Sequence, residues 1–279
     1  MKKIVVLLVL ALVALAACGE ENPAPSASNG TDASGETSCE PEDLTLFKDG
    51  VLTVATDRPA YPPWFEGSPK SYSGYEGEVA TEIADRLGLP IEWVVEPFNR
   101  SYAPGSKDFD FDVNQITITP EREEVVDFSA PYFENNQGFL VMEDSAVADA
   151  SGIEDLKDAQ LGAQVGTTAL AFVNSVIQPN KDTKVFDSTN DAKSALESGA
   201  IDVFVTDVVT TVYLRDFEIK GSKVIGQYPE AEYFGALFEK GSPLVECVNG
   251  VLEEMTTDGT LEDLQEEWLK DYLKVPSFE

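Results

Sequence analysis

The sequence predicts an α/β fold of two lobes, and three features carry that expectation. A strand–helix–strand pattern occurs early in the chain and again in its second half. Two buried strands echo one another at their carboxyl ends. And a chain of 279 residues that is 43% hydrophobic and 10% aromatic has the apolar content for packed cores and the length for more than one.

The first pattern opens with the β-branched run 51–56, ending at Asp57. Residues 78–87 then place Val79, Ile83 and Leu87 at helical spacing before a Gly88-Leu89-Pro90 stop, and 91–95 reads as a short strand. A loop broken by Pro and Gly follows around Tyr102-Ala103-Pro104-Gly105. The second pattern comprises a strand over 160–165, a helix over 168–177, a strand over 184–186 and a helix over 190–197, and such alternation argues for largely parallel sheets. The echo lies in Gly105 leading to Phe109-Asp110-Phe111-Asp112-Val113-Asn114-Gln115, and Gly199 leading to Ile201-Asp202-Val203-Phe204-Val205-Thr206-Asp207. Each is a buried strand with polar residues at its carboxyl end, where open α/β sheets bind ligands; two lobes facing each other across such ends enclose a cleft.

Composition removes several function classes. With 51 Asp+Glu against 19 Lys+Arg the formal charge is −32, the wrong sign for neutralising nucleic-acid phosphates. The chain has no His, so neither a Ser-His-Asp triad nor a His-ligated zinc can be written. Carboxylate chemistry and plain binding remain open.

Lys2-Lys3 and the apolar run 4–17 form a secretory leader, shorter than the ~20 residues of a spanning helix. The run ends in Leu15-Ala16-Ala17-Cys18-Gly19, which resembles the bacterial lipobox, so residues 1–17 are expected as a lipoprotein signal peptide and Cys18 as the lipid-attachment site. Residues 18–43 are rich in Glu, Asn, Pro, Ser, Thr and Gly, too polar to offset their ordering entropy, and read as a flexible tether. If Cys18 carries lipid, Cys39 and Cys247 form an even remainder in an exported chain, which suggests a disulfide; two unpaired thiols are the alternative.

Two segments bear on chemistry. In Gln164-Val165-Gly166-Thr167-Thr168-Ala169 a strand runs into a helix, whose free N–H groups and dipole favour an anion, though a plain helix cap reads the same way. In Asn114-Gln115-Ile116-Thr117-Ile118-Thr119-Pro120-Glu121-Arg122, alternating Ile sets Gln115 and Thr117 on the opposite face, and Pro120 begins a helix. Arg122 then stands in a first helical turn, where the dipole disfavours a cation, and this points to a carboxylate partner: a ligand, or simply Glu121 or Glu123 at the surface.

These segments, with Thr53-Val54-Ala55-Thr56-Asp57, Ala60-Tyr61-Pro62-Pro63-Trp64, Gly74-Tyr75-Glu76-Gly77-Glu78-Val79-Ala80, Val126-Asp127-Phe128-Ser129-Ala130-Pro131-Tyr132 and the Gly199…Asp202…Asp207 strand, resemble family 3 of the bacterial solute-binding proteins, the polar amino-acid receptors of ABC importers, over roughly residues 45 to 275. The resemblance implies a periplasmic-binding-protein fold: two α/β lobes joined by two hinge strands, with a cleft between them. Lobe 1 is then discontinuous, 44–134 and 235–279, and lobe 2 is 135–234. Arg122 matches the arginine that pairs bidentately with a ligand α-carboxylate, a geometry Lys cannot reproduce. Thr117 and the Thr168 amide, beside Thr167, match its other carboxylate donors. Asp207 matches the acceptor of the α-ammonium, with the Gln115 carbonyl as a second acceptor, unless Asp207 serves only as a helix cap. Tyr61, Trp64 and Tyr75 match the aromatic wall, although aromatics also build cores. Asp57 stands one residue further from Tyr61 than the family pattern, and Asn114-Gln115 replaces smaller residues.

Function follows the same resemblance: a monomeric lipoprotein on the outer face of the cytoplasmic membrane, held by its lipid alone, that captures a polar amino acid, neutral or basic, and delivers it to an ABC permease and its ATPase. No cofactor, metal or nucleic acid enters this reading. The rivals are an exported dehydratase or lyase on the same fold, using carboxylates such as Glu76 or Asp207 for acid–base work, and a sensor or scaffold lobe without a ligand.

Overall fold

The computed structural model describes residues 38–278. The leader, the lipobox Cys18 and all of the tether before residue 38 lie outside the described residues.

The strands are β1 (Leu52–Thr56), β2 (Glu66–Ser68), β3 (Ser71–Ser73), β4 (Ile91–Val95), β5 (Phe111–Asp112), β6 (Val126–Phe128), β7 (Phe133–Met142), β8 (Leu161–Gln164), β9 (Lys184–Phe186), β10 (Val203–Asp207), β11 (Ser222–Phe234) and β12 (Leu237–Glu239). The helices are α1 (Tyr75–Arg86), α2 (Phe98–Ser101), α3 (Pro120–Glu123), α4 (Thr168–Phe172, continued by a π-helical turn Val173–Ile177), α5 (Thr189–Glu197), α6 (Val208–Tyr213), α7 (Leu244–Thr257) and α8 (Thr260–Trp268).

They form two five-stranded sheets, ordered β4-β1-β5-β12-β6 and β11-β7-β10-β8-β9, with β2-β3 as a separate hairpin. Each sheet is mixed. β1 pairs in parallel with β4 and β5, and β8 with β9 and β10, as the strand–helix alternation requires. β12 runs antiparallel to β5 and β6, and β7 runs antiparallel to β10 and β11, so the expectation of largely parallel sheets holds only for the α/β portions. The chain passes from the first sheet to the second between β6 and β7 and returns between β11 and β12. At this crossing Tyr132 N donates to Phe234 O at 3.0 Å and Ser129 N to Ala236 O at 2.9 Å, tying the two passages side by side.

α1 begins at Tyr75, three residues before the apolar spacing suggests. Gly74, at φ +91°, turns the chain so closely over Trp64 that a Cβ would lie 2.6 Å from the Trp64 carbonyl. That same carbonyl accepts from the amides of Glu76 (3.1 Å) and Gly77 (3.3 Å), which satisfies the orphan donors of the first turn without a side-chain cap. α1, α7 and α8 pack on the first sheet over a core that includes Trp64, Tyr75, Ile83, Phe238 and Met255. Cys247 on α7 is joined to Cys39 by a disulfide, Cα–Cα 5.5 Å. The second sheet is covered by α4 on one side and by α5 and α6 with Phe204 and Leu214 on the other.

The chain's end packs against the second sheet. Phe278 stacks on Phe139 of the second sheet at 4.8 Å between centroids, Phe278 N donates to Gln227 O at 2.8 Å, and Gln227 N to Pro276 O at 2.9 Å. Gly226 makes room for this ring: a Cβ there would lie 2.4 Å from it.

Candidate functional site

A cavity of about 280 Å³ lies between the two sheets, at the carboxyl ends of β1, β5, β8, β9 and β10. These are the mutually parallel strands of each sheet, and their ends are where backbone and side-chain polar groups are left unsatisfied by the ladder. Asp57, Tyr61, Asn114, Gln115, Thr117, Arg122, Thr167, Thr168 and Asp207 all line it.

Arg122 is held by the four-residue helix α3. Thr119 caps α3 by accepting from Arg122 N at 3.3 Å, and the first turn then aims the side chain inward. Arg122 is only 8% exposed. It lies over the rings of Tyr102 (4.9 Å to the centroid) and Phe98 (5.6 Å), and donates to the carbonyls of Thr117 (2.6 Å) and Gly166 (3.0 Å). Among the described residues no carboxylate stands within ion-pair distance of it, so Glu121 and Glu123 do not neutralise it. Burial lowers the guanidinium pKa, but from a starting value high enough that the charge is kept.

Asp207 faces it from the second sheet. Its Oδ1 caps α6 by accepting from Thr210 N at 2.8 Å, and burial raises its carboxyl above the ordinary value. Asp57 is pushed the same way by burial, while Oδ1 accepts from Arg58 N at 2.6 Å and Oδ2 from Phe98 N at 3.2 Å, so both oxygens are engaged by backbone amides. Gln115 adopts φ +51°, and its backbone and side-chain N–H groups both donate to Glu76, so the amide nitrogen is used within the first sheet's core.

Two expected wall residues are not at the cavity. Trp64 and Tyr75 are fully buried, 0% exposed, in a nest of rings with Phe133 and Phe234, because the turn at Gly74 folds both into the core beneath α1. Trp64 still reaches the second half of the molecule, donating from Nε1 to Thr210 Oγ1 at 3.2 Å. The aromatic lining is Tyr61 with Phe98 and Phe234. Tyr61 also bridges the cleft mouth, donating to Asn190 Oδ1 at 2.6 Å, and Tyr102 donates to Gly166 O at 3.4 Å. These contacts hold the cleft shut in this structure.

Several lining residues carried no signal in the sequence. Asn135 and Gln137 alternate along β7 and both line the cavity, in a stretch to which the sequence reading assigns no element. Asp187, Ser188, Thr189 and Asn190 enter from the turn into α5, where Ser188 caps the helix. Glu232, on β11, accepts from Thr168 Oγ1 (2.8 Å) and Thr117 Oγ1 (3.1 Å), so both hydroxyls are already engaged by an internal carboxylate. No group of three or more metal-binding side chains occurs among the described residues, and none of their helices is long and apolar enough to cross a membrane.

This architecture, two α/β lobes linked by paired crossings around a cleft that holds the buried cation Arg122, is that of a two-lobe solute-binding protein. The chain belongs to the bacterial extracellular solute-binding proteins, family 3, whose model matches residues 52–271. It is 30% identical to the L-cystine-binding protein TcyA of Bacillus subtilis (strain 168), over 94% of each chain. It is 31% identical to the ABC transporter glutamine-binding protein GlnH of the same organism, over 97% of this chain and 98% of the relative. Among solved structures, an ancestral arginine-binding protein bound to arginine superposes with a TM-score of 0.70 at 33% identity, covering 79% of this chain and 98% of that one. Each of the three is named as a binding protein for an amino acid, and the glutamine-binding relative as part of an ABC transporter.

Proposed function

We propose that the protein captures a polar amino acid, neutral or basic, in the cleft and delivers it to an ABC permease with its ATPase, as a monomer anchored through lipid on Cys18 and without catalysing a reaction. The carrying observation is Arg122: a buried guanidinium, stacked on Phe98 and Tyr102, whose hydrogen bonds go only to neutral carbonyls. A buried cation in such a place needs an anion, and the fork of N–H groups suits a carboxylate. The Thr168 amide, in the first turn of α4, adds a donor that the helix itself leaves unpaired. Asp207 across the cleft accepts the α-ammonium. Half-sites from the two lobes then make the ligand stabilise the closed state, which is the event a permease reads. The test is Arg122→Ala: calorimetry should show loss of most amino-acid affinity, and unchanged affinity removes the assignment.

A further inference from the structure

The last residues of the chain make a third link between the two lobes, besides the β6–β7 and β11–β12 crossings. α8 packs against α1 and α7, and Leu269, fully buried, and Leu273, partly buried, belong to the core of the first lobe. Further along, Phe278 is 5% exposed and belongs to a core of the second sheet. Between these anchors, Tyr272 and Val275 pack against both the first core and the one that holds Phe204 and Leu214.

The second-sheet anchor is built for this segment. β11 is an edge strand of its sheet, so its outer N–H and C=O groups have no neighbouring strand to pair with. The tail supplies the partner. Gln227 N donates to Pro276 O at 2.9 Å, Gln227 O accepts from Phe278 N at 2.8 Å, and Gln227 Nε2 donates to Val275 O at 2.8 Å. Asn136 Nδ2 donates to Gln227 Oε1 at 3.0 Å, which turns the amide nitrogen of Gln227 toward the tail. Ser277 thereby bridges in parallel to Gln227. Next to it the pairing of β11 with β7 slips between Val224 and Gly226, and this bulge, with the missing side chain at Gly226, seats the Phe278 ring.

The link is short, and it lies away from the crossings. From Leu273 to Val275 the chain has two residues, which span no more than about 7 Å when fully extended. Gln227 and Phe234 pair with Gly138 and Phe133 of β7, five residues apart, so the anchor stands roughly 17 Å along the sheet from the crossing. A tie at that distance restrains rotation about the crossings.

We propose that residues 274–278 are a strap that limits how far the two lobes part, so that the opening of the cleft is set by the reach of the chain's end and not by the two crossings alone. Parting beyond that reach requires the Phe278 ring to leave its core. The strap acts in this way whatever ligand the cleft takes.

Double electron–electron resonance between nitroxides on Arg100→Cys and Ser194→Cys tests this, in a Cys18→Ser background and on protein stripped of ligand by unfolding in urea and refolding without reductant. Both positions are exposed, and each lies within a turn of a cavity-lining residue on its own side of the cleft, Asn99 and Asn190. The intact tail is compared with truncation after Lys274 and with insertion of six Gly and Ser residues after Lys274, which lengthens the strap by up to about 20 Å while leaving both anchors unchanged. Each change should lengthen the mean label distance by about 5 Å or more, since the two-residue limit is removed. If the truncated chain does not fold, the insertion decides alone. An unchanged distance in the insertion variant overturns the proposal whatever the truncation does, because only the length of the strap differs there.

Discussion

Glu76 gives a stability prediction whose size can be worked from the structure. Its carboxylate is fully buried and accepts from Gln115 N at 2.7 Å, from the Gln115 side-chain amide and from Tyr132 Oη, with no cation beside it. Burial dominates and pushes its pKa from an ordinary 4.5 up to about 7. For an acid raised in the folded state, the unfolded chain releases its proton first, so between pH 4.5 and about 7 the native state holds the extra proton. Stability is then full below the unfolded value and falls as pH rises through this window, by about 1.4 kcal/mol for each pH unit of displacement, or about 3 kcal/mol in all. Glu76→Gln mimics the protonated form once the Gln115 amide turns to present its carbonyl. Urea unfolding at half-unit steps from pH 4.5 to 7.5 should therefore show a decline about 3 kcal/mol smaller in the variant. Asp112, which burial pushes to about 8 with the Glu76 charge adding to the rise, contributes a decline to both proteins, slightly smaller in the variant. Parallel curves would mean that Glu76 is ionised in the folded protein throughout, and would refute the reasoning.

Gly166→Ala should weaken ligand affinity at least tenfold with little loss of stability beyond the roughly 1 kcal/mol of an alanine at φ +74°, because its Cβ would lie 1.8 Å from Tyr102 Oη across the cleft and hold it ajar; unchanged calorimetric affinity would contradict this. Reducing Cys39–Cys247, which closes 208 residues of sequence, should lower unfolding free energy by about 2–5 kcal/mol in paired denaturation curves with and without reductant. Glu232→Gln should raise amino-acid affinity several-fold by calorimetry, since it removes the anion that occupies the Thr117 and Thr168 hydroxyls and faces Arg122, while its carbonyl can still accept from Thr168.

What was legible in the sequence follows physical lines. The α/β segments showed through because periodicity and breakers act locally: the strand over 91–95 and the strand over 184–186 coincide with β4 and β9. Arg122 stood out because a cation in a first helical turn is unusual in itself, whereas Asp207 was singled out by the family resemblance. Trp64 and Tyr75 could not be sorted between wall and core, since ring chemistry suits both and the decision lies in one glycine turn at Gly74. Asn135, Gln137 and Glu232 were invisible because their role depends on β7 and β11 running side by side, a pairing between residues nearly a hundred positions apart. The first-sheet strands β5 and β6 are so short that their antiparallel partner β12 had no pattern to announce it.

The central claim is that the cleft closes on an amino acid held by Arg122. Thermal unfolding of the mature protein against a panel of common amino acids, with Arg122→Ala as the control, addresses it in one measurement. A ligand at 100 times its Kd should stabilise the wild-type protein by about 2.7 kcal/mol, and the stabilisation should vanish in Arg122→Ala. No stabilisation by any amino acid, or the same stabilisation in the variant, would contradict it.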